Sequence, residues 1–275
     1  MIRLAAWVAL TMVAFAANSV LNRVALTGGD IGPAAFAGVR MLSGAVMLTL
    51  LVLGRDRRLP ALGGGWDGPL TLVVYVVGFS FAYTVLDAGV GALILFGGVQ
   101  VTMFAGAVVM REAIPLQRWA GAVMAMAGLI WLMWPGQAQV PSGVGTLGML
   151  AAAIGWGLYS LIGRRAGDPL VATARNFILA APLAVVVWLM WPDGIGPRGA
   201  MLACVSGAVT SGLGYALWYR VLPRLPAAVA AIAQLSVPVI AMAGGLAFLG
   251  ETVGLRFVIA SVLVITGVVV SLIRV

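Results

Sequence analysis

EAIPLQRWAGAVMAMAG, from Glu112 to Gly128, is answered later in the chain by ETVGLRFVIASVLVITG, from Glu251 to Gly267. In both stretches a glutamate is followed at the same spacings by leucine (Leu116, Leu255), valine (Val123, Val262) and glycine (Gly128, Gly267). Ahead of the glutamates, Ala92, Met103 and Gly106 match Ala231, Met242 and Gly245. Two earlier stretches repeat as well. Ser19, Arg23 and Ala25 match Ser160, Arg164 and Ala166, while Ala37, Arg40, Ala45, Leu48 and Val52 match Ala172, Arg175, Ala180, Leu183 and Val187. The offset drifts by only a few residues, as loops of unequal length would produce. Two copies of one unit are therefore expected, at residues 1–135 and 142–275.

Composition says what solvent the unit meets. The chain is 63% apolar and 9% charged, with a mean hydropathy of +1.11. A soluble domain is roughly 45–50% apolar and about 25% charged, so these helices face lipid. All 16 basic residues are arginine, since neither lysine nor histidine occurs. The net charge of +8 could suggest nucleic acid. The arginines, however, stand singly or in short clusters between apolar runs, the placement found in membrane proteins, and no nucleic-acid partner is expected. Cys204 lies inside an apolar run and is read as a small buried side chain rather than a reactive thiol. The run from Leu4 to Phe15 resembles a cleavable leader, but it continues to Leu26 and carries part of the repeat, which makes it a retained first helix.

Crossing about 30 Å of hydrocarbon takes about 20 apolar residues. Breaks at glycine, proline and charge give ten spans: Leu4–Leu26, Pro33–Leu53, Pro69–Asp87, Gly91–Met110, Leu116–Trp134, Val144–Gly163, Leu170–Trp191, Gly199–Val221, Pro226–Leu249 and Leu255–Ile273. The expected fold class is an all-α membrane protein. With the N-terminus inside, Arg3, Arg55, Arg57, Arg58, Arg111, Arg118, Arg164, Arg165, Arg220, Arg224 and Arg274 fall on the cytoplasmic side. Only Arg23, Arg198 and Arg256 fall outside, so both termini are expected in the cytoplasm. An odd number of spans per half turns the second copy upside down, making ten transmembrane helices in two inverted five-helix repeats.

Several chemistries lack their parts. Without lysine there is no Schiff base and no phosphate-loop lysine. Gly143–Gly148 fits G-x-G-x-x-G, but it follows a Pro-Ser loop rather than a strand and is discounted as a nucleotide site. Isolated carboxylates and the lack of histidine leave no metal cluster. No enzyme activity and no cofactor are expected.

The informative signal is polar and aromatic residues sharing a helix face. Thr11, Phe15, Asn18 and Asn22 do so in the first span, and Trp156, Tyr159, Ser160 and Gly163 in the sixth. The third span offers Phe79, Ser80, Tyr83 and Asp87, and the eighth Ser211, Tyr215 and Trp218. The fourth offers Gln100 beside Phe104, and the ninth Gln234 beside Pro238. Such groups either join helices by hydrogen bonds or line a cavity. Trp131, Trp134, Trp188 and Trp191, at span ends, read as an interfacial belt. The deeper Asn18, Asn22, Phe79, Ser80, Tyr83, Gln100, Trp156, Tyr159, Ser160, Tyr215, Trp218 and Gln234 are expected to line a central pocket for an apolar or planar small-molecule substrate. Arg40 and Arg175 form a repeat-matched pair inside spans. Snorkelling or pairing with a loop acid is favoured over binding a substrate carboxylate. Glu112 and Glu251 are read as helix-start charges that pair with Arg111 or Arg256 rather than as proton carriers. Gly121, Ala125 and Gly128 form a face suited to close helix contact.

Ala216-Leu217-Trp218-Tyr219-Arg220, Leu235-Ser236-Val237-Pro238-Val239, Gly250-Glu251 and Gly267 together resemble the second half of the ten-helix EamA-type transporters of the drug/metabolite transporter superfamily. The run from Gln100 through Glu112 to Gly128 resembles the first-half copy. The resemblance implies a bacterial inner-membrane protein with alternating access and export, or facilitated movement, of amino acids or other small metabolites. The aromatic and neutral amino-acid exporters are nearest in character. A multidrug or nucleotide-sugar-type carrier, or a non-transporting membrane subunit or receptor, is the competing reading. The four-helix multidrug members carry a glutamate in their first helix. Here that helix has Thr11, Asn18 and Asn22 and no acid, which favours a neutral or zwitterionic substrate over proton/cation antiport. Partners beyond the substrate are the lipid bilayer, with homodimerisation left open.

Overall fold

A computed structural model describes residues 2–133, 143–250 and 254–272, and every structural statement below concerns these. Trp134, Glu251 and Arg274 lie outside the described residues, as does the side chain of Arg256. Among the described residues the chain is helical without strands, and seven helical segments are long and apolar enough to cross a membrane. The first half holds α1 (Ile2–Thr27), α2 (Pro33–Asp56), α3 (Asp67–Ala82), α4 (Ala88–Val109) and α5 (Leu116–Met133). The second half holds α6 (Gly143–Gly163), α7 (Pro169–Met190), α8 (Pro197–Val205), α9 (Gly214–Val221), α10 (Ala227–Gln234), α11 (Val237–Leu249) and α12 (Leu255–Leu272).

Helix starts follow local chemistry. Pro33, Pro169 and Pro197 each stand in the first turn, where the missing N–H costs nothing, after Gly32, Asp168 and Gly196. Three expected spans differ in detail. The third helix stops at Ala82, because residues 83–86 fold into a turn in which Leu86 N–H donates to Ala82 O at 3.0 Å. Asp87 then becomes the residue before α4 rather than a member of the third helix's polar face. The eighth span is interrupted: Ser206–Leu213 is wound as a π-helix between α8 and α9. The ninth is broken after Gln234, where Pro238 has no N–H to offer the Gln234 carbonyl.

Contacts between the halves come in matched sets. Packing of α3 on α6 is answered by α1 on α8, the π stretch and α9; α4 on α6 is answered by α1 on α11. The packing of α2 on α8 and the π stretch is answered by α3 on α7, while α2·α7, α5·α12 and α4 with α10 and α11 join equivalent positions. Small residues bring the backbones together. A methyl group on Gly128 would meet Leu263 and the Ala260 carbonyl, and one on Gly267 would meet the Gly121 carbonyl and Ala125. The face formed by Gly121, Ala125 and Gly128 is thus the α5–α12 seam.

Ion pairs and caps gather at the helix ends, where water can reach them. At one end, the Asp193 carboxylate accepts from Ala34 N and Ala35 N, both at 2.8 Å, and Arg23 pairs with Asp87 at 2.9 Å. At the other end Arg55 pairs with Asp168 at 2.8 Å. Burial pushes the Asp168 carboxyl up, but the Val171 N–H and the Arg55 guanidinium outweigh it and hold the group below the usual carboxylate range. Glu112 sits at this end too, and its role departs from expectation. It pairs with Arg164, not Arg111, and accepts from Ala227 N at 2.9 Å, so it caps α10 of the opposite half rather than α5.

Two further expectations are corrected. Cys204 is exposed, because its neighbour Ala203 takes the inward position on α8 and turns the cysteine to the outer, lipid-facing surface. Trp131 and Trp191 are exposed, whereas Trp188 packs on Gly38 and donates to Asp193 O at 3.4 Å. Residues 143–148 are the opening turns of α6, which leaves no loop to cradle a phosphate.

The tightest backbone approach joins α2 to the π stretch: a methyl group on Gly207 would collide with the Arg40 carbonyl. Gly207→Ala should therefore lower stability by about 1–3 kcal/mol in thermal unfolding of the detergent-solubilised protein. Gly54→Ala is the control, since its added methyl meets nothing within 4 Å, and it should be neutral or slightly stabilising. Equal behaviour of the two variants would contradict the packing described.

Candidate functional site

Seven residues into α2, about 10 Å along the axis from its start, the side chain of Arg40 is fully buried. A guanidinium keeps its proton in a protein, so the charge stays where it is placed. It does not snorkel, and no described acid pairs with it; the burial overturns both halves of the expectation. Three elements hold it instead. Nε donates to Ser211 Oγ of the π stretch at 2.8 Å, and Nη2 donates to Tyr215 Oη of α9 at 2.5 Å and Tyr75 Oη of α3 at 3.3 Å. The guanidinium carbon lies 5.4 Å from the Tyr75 ring centroid and 5.2 Å from that of Phe79, within cation–π range. Nη1 has no hydrogen-bond partner.

Around this charge the hydroxyls and amides form one connected network. Asn18 Oδ1 accepts from Ser206 Oγ at 2.7 Å and Thr210 Oγ1 at 3.0 Å, and its Nδ2 donates to Tyr75 Oη at 3.4 Å. Tyr215 Oη donates to Tyr75 Oη at 3.0 Å. The π winding matters here, because it lies where Ser206, Thr210 and Ser211 all reach Asn18 or Arg40. Such bulges recur at functional positions.

Aromatic rings fill the space beneath. Trp156 lies 4.5 Å from Tyr215, 4.9 Å from Tyr75, 5.1 Å from Phe15 and 5.5 Å from Tyr159, centroid to centroid. Tyr159 continues the column to Tyr219 at 4.8 Å. Trp156 Nε1 donates to Gln234 Oε1 at 2.6 Å, just before the break in the ninth span, and Trp218 Nε1 donates to Ser160 Oγ at 3.0 Å.

Below Tyr219 the packing opens. A cavity of about 460 Å³ is lined from both halves, by Asp67, Gly68 and Met110 on one side and Leu158, Arg165, Arg175, Asn176 and Tyr219 on the other. Arg175 lies half-buried at its rim, donating to the carbonyls of Gly65 and Leu62, so it is served by loop carbonyls rather than by an acid. Asn176 Nδ2 donates to Tyr219 Oη at 3.3 Å, and Tyr219 Oη donates to Tyr159 O at 3.1 Å, which ties the cavity wall to the aromatic column.

All the candidate pocket residues are buried, and the structure brings most of them together. Asn18, Trp156, Tyr159, Ser160, Tyr215, Trp218 and Gln234 belong to the cluster just described, and Phe79 joins it to Tyr83, 4.6 Å away. Asn22, Ser80 and Gln100 keep polar atoms without a partner and are not drawn into its hydrogen bonds. None of these residues lines the cavity: in this conformation the expected pocket is filled by its own side chains. Arg40, Tyr75, Asn176 and Tyr219 are functional candidates that the polar-face reading omitted. Tyr75 stands four residues before Phe79 and Tyr219 four after Tyr215, so the spacing that found one ring would have found the next.

The family model of the EamA-like transporter family matches residues 3–134 and again residues 143–273. The chain belongs to the EamA-like transporter family. It is accordingly a multi-pass membrane protein of a family of small-molecule transporters. The chain is also 43% identical to an uncharacterized protein of Pseudomonas aeruginosa, over 96% of this chain and 92% of that one. A crystal structure with a TM-score of 0.77, 18% identical and covering 95% of this chain and 97% of its own, shares the fold.

The Trp156–Gln234 bond offers a direct test of the network's energetics. Trp156→Phe leaves Gln234 Oε1 buried without its donor and should cost about 1–3 kcal/mol in thermal unfolding. Adding Gln234→Leu should recover part of that loss, because no orphaned acceptor remains. Strict additivity of the two losses would show that the pair is not coupled.

Proposed function

We propose that this EamA-like protein is a secondary transporter that exports, or facilitates the movement of, amino acids or similar small metabolites across a bacterial inner membrane. It does so by alternating access between two inverted five-helix repeats, residues 1–135 and 142–275, in ten crossings with both termini cytoplasmic. The observation that carries this reading is the cavity at one end of the bundle, lined from both halves and stopped by the Tyr219–Tyr159–Trp156–Tyr215 column. A carrier needs a site reachable from one side at a time, and such a cavity with a closed opposite end is one of its two states.

Two features support the reading. Contacts between the halves survive exchanging their helices, as a two-fold pseudo-symmetric carrier requires. The interrupted eighth and ninth spans place freed backbone and polar side chains beside the closed column, the position that substrate sites of inverted-repeat carriers occupy. The end holding Arg55, Glu112, Arg164 and Arg175 is the arginine-rich one, so the cavity faces the cytoplasm in this assignment.

Purified protein in liposomes loaded with a mixture of the common amino acids should release at least one of them faster than protein-free vesicles, read by mass spectrometry of the external medium. Alanine at Tyr83, Trp156 or Tyr215 should reduce that release by about tenfold or more while the protein remains monodisperse. No release of any amino acid, nucleotide sugar or lipophilic cation would defeat the transport reading, and unchanged release in all three variants would remove the column from the path.

A further inference from the structure

We propose that Arg40 is the anchor for a carboxylate on the transported molecule, so that the substrate class is carboxylate-bearing metabolites, amino acids included, rather than compounds that lack a carboxylate. This deepens the transport reading and rests on it.

The first argument is charge balance. Seven of the protein's eight acidic residues are described, and each lies at a helix end or in a loop: Asp30, Asp56, Asp67, Asp87, Glu112, Asp168 and Asp193. Four of them, Asp56, Asp87, Glu112 and Asp168, are engaged by Arg55, Arg23 and Arg164, and Asp193 is engaged by the start of α2. Arg40 is fully buried with no described carboxylate against it. Ionised groups within spans ordinarily pair with one another or mark a substrate path. With no described acid at hand, the counter-charge is left for the ligand to supply.

The second argument is donor geometry. Ser211, Tyr75 and Tyr215 occupy Nε and Nη2, while Nη1 is buried and unpartnered. A buried donor without an acceptor is costly, and arginine is the side chain best shaped to take a planar carboxylate. The three hydroxyls that hold the guanidinium are neutral. They fix its plane without cancelling its charge, which is how a binding arginine differs from one locked in a structural ion pair.

The third argument is position. Arg40 contacts Tyr215 and Tyr75, both of which pack on Trp156, and Trp156 is followed by Tyr159 and Tyr219 at the cavity wall. The charge thus stands at the far end of the column that closes the cavity. Parting those rings would expose a cation at the end of an aromatic-walled passage, a setting suited to a carboxylate with an apolar or planar body. The neighbouring Asn18 amide, already joined to Tyr75 Oη, is the adjacent polar group for the rest of such a molecule.

The test pairs ligands that differ only at the carboxylate: L-phenylalanine against L-phenylalaninamide, L-leucine against L-leucinamide, and 3-phenylpropionate against 3-phenylpropanamide. Each is titrated into the full-length protein in detergent, with melting temperature as the readout, and each is loaded into proteoliposomes for release. A saturable rise in melting temperature is expected for at least one carboxylate, with the matching amide about ten- to a hundredfold weaker. Arg40→Gln should abolish the carboxylate response, and Arg40→Lys should retain a weakened one. If Arg40→Gln does not yield folded protein, the wild-type pairs and Arg40→Lys decide. Equal response to acid and amide, a full carboxylate response in Arg40→Gln, or no saturable carboxylate response in the wild type would each overturn the assignment and leave Arg40 as a structural cation. Carboxylate binding without release would keep the anchor and defeat transport. Release without acid–amide discrimination would keep transport and defeat the anchor.

Discussion

A guanidinium that cannot lose its proton is enclosed in the middle of this bundle, and much of the surrounding architecture follows from holding it there. Removing such a charge from water costs several kcal/mol unless other groups replace the lost solvation. Here the replacement comes from three elements at once: Tyr75 of α3, Ser211 of the π stretch and Tyr215 of α9. The aromatic faces of Tyr75 and Phe79 add cation–π attraction. The contacts to Ser211 and Tyr215 could not form if α2 and the eighth span stood a side chain apart. Gly44 and Gly207 allow the close approach, since a methyl group on Gly44 would meet the Gly207 carbonyl and one on Gly207 the Arg40 carbonyl. Small residues at the seam, a π winding and a buried cation are therefore one arrangement rather than three features.

The helix ends are built on a different principle. Their ion pairs are partly in water and contribute little individually, but two of the four, Arg55–Asp168 and Arg164–Glu112, cross between the halves. Asp193, after α7, caps the start of α2; Glu112, after α4, caps α10 and pairs with Arg164, after α6. Each carboxylate satisfies N–H groups that a helix start leaves open, and it does so for the opposite repeat. Such clasps set the distance between halves at each end. They can part with modest loss because water can take over their partners.

The sequence was informative wherever one rule acted alone. Apolar run length located most helix ends within a few residues, and glycine spacing on Gly121, Ala125 and Gly128 marked a close-contact face whose partner, α12, only the structure shows. The same four- and three-residue steps identified Asn18, Trp156, Tyr159 and Tyr215 as inward-facing. What escaped the reading depended on which helices meet. Arg40 looked like a residue near a span start, free to snorkel, and nothing in α2 itself reveals that Tyr75 and Tyr215 arrive from helices far along the chain. Its repeat partner Arg175 misled by symmetry, for it rests on the carbonyls of Gly65 and Leu62 at the cavity rim while Arg40 lies sealed. Glu112 was assigned to the helix that follows it in sequence, whereas its carboxylate serves one that follows it in space. Open and closed regions were equally hidden, because the same aromatic residues can line a pocket or fill one.

That last distinction bears on how the molecule would work. The column from Tyr219 to Tyr215 is packed through rings and hydroxyls, with little main-chain hydrogen bonding between its helices, so rings can turn aside without breaking a helix. Two of the spans that meet it, the eighth and the ninth, are already interrupted, at the π stretch and before Pro238. An α-helix bends at the cost of its hydrogen bonds, but a helix whose ladder is already interrupted bends more cheaply. Motion concentrated at these two places would carry Tyr215, Ser211 and Gln234 away from Tyr75, Arg40 and Trp156 together. It would loosen the network around the cation and the column below it in a single step. On the proposed reading, the buried charge would act as the latch of the closed end, and an incoming anion that replaces its hydroxyl partners would be the key.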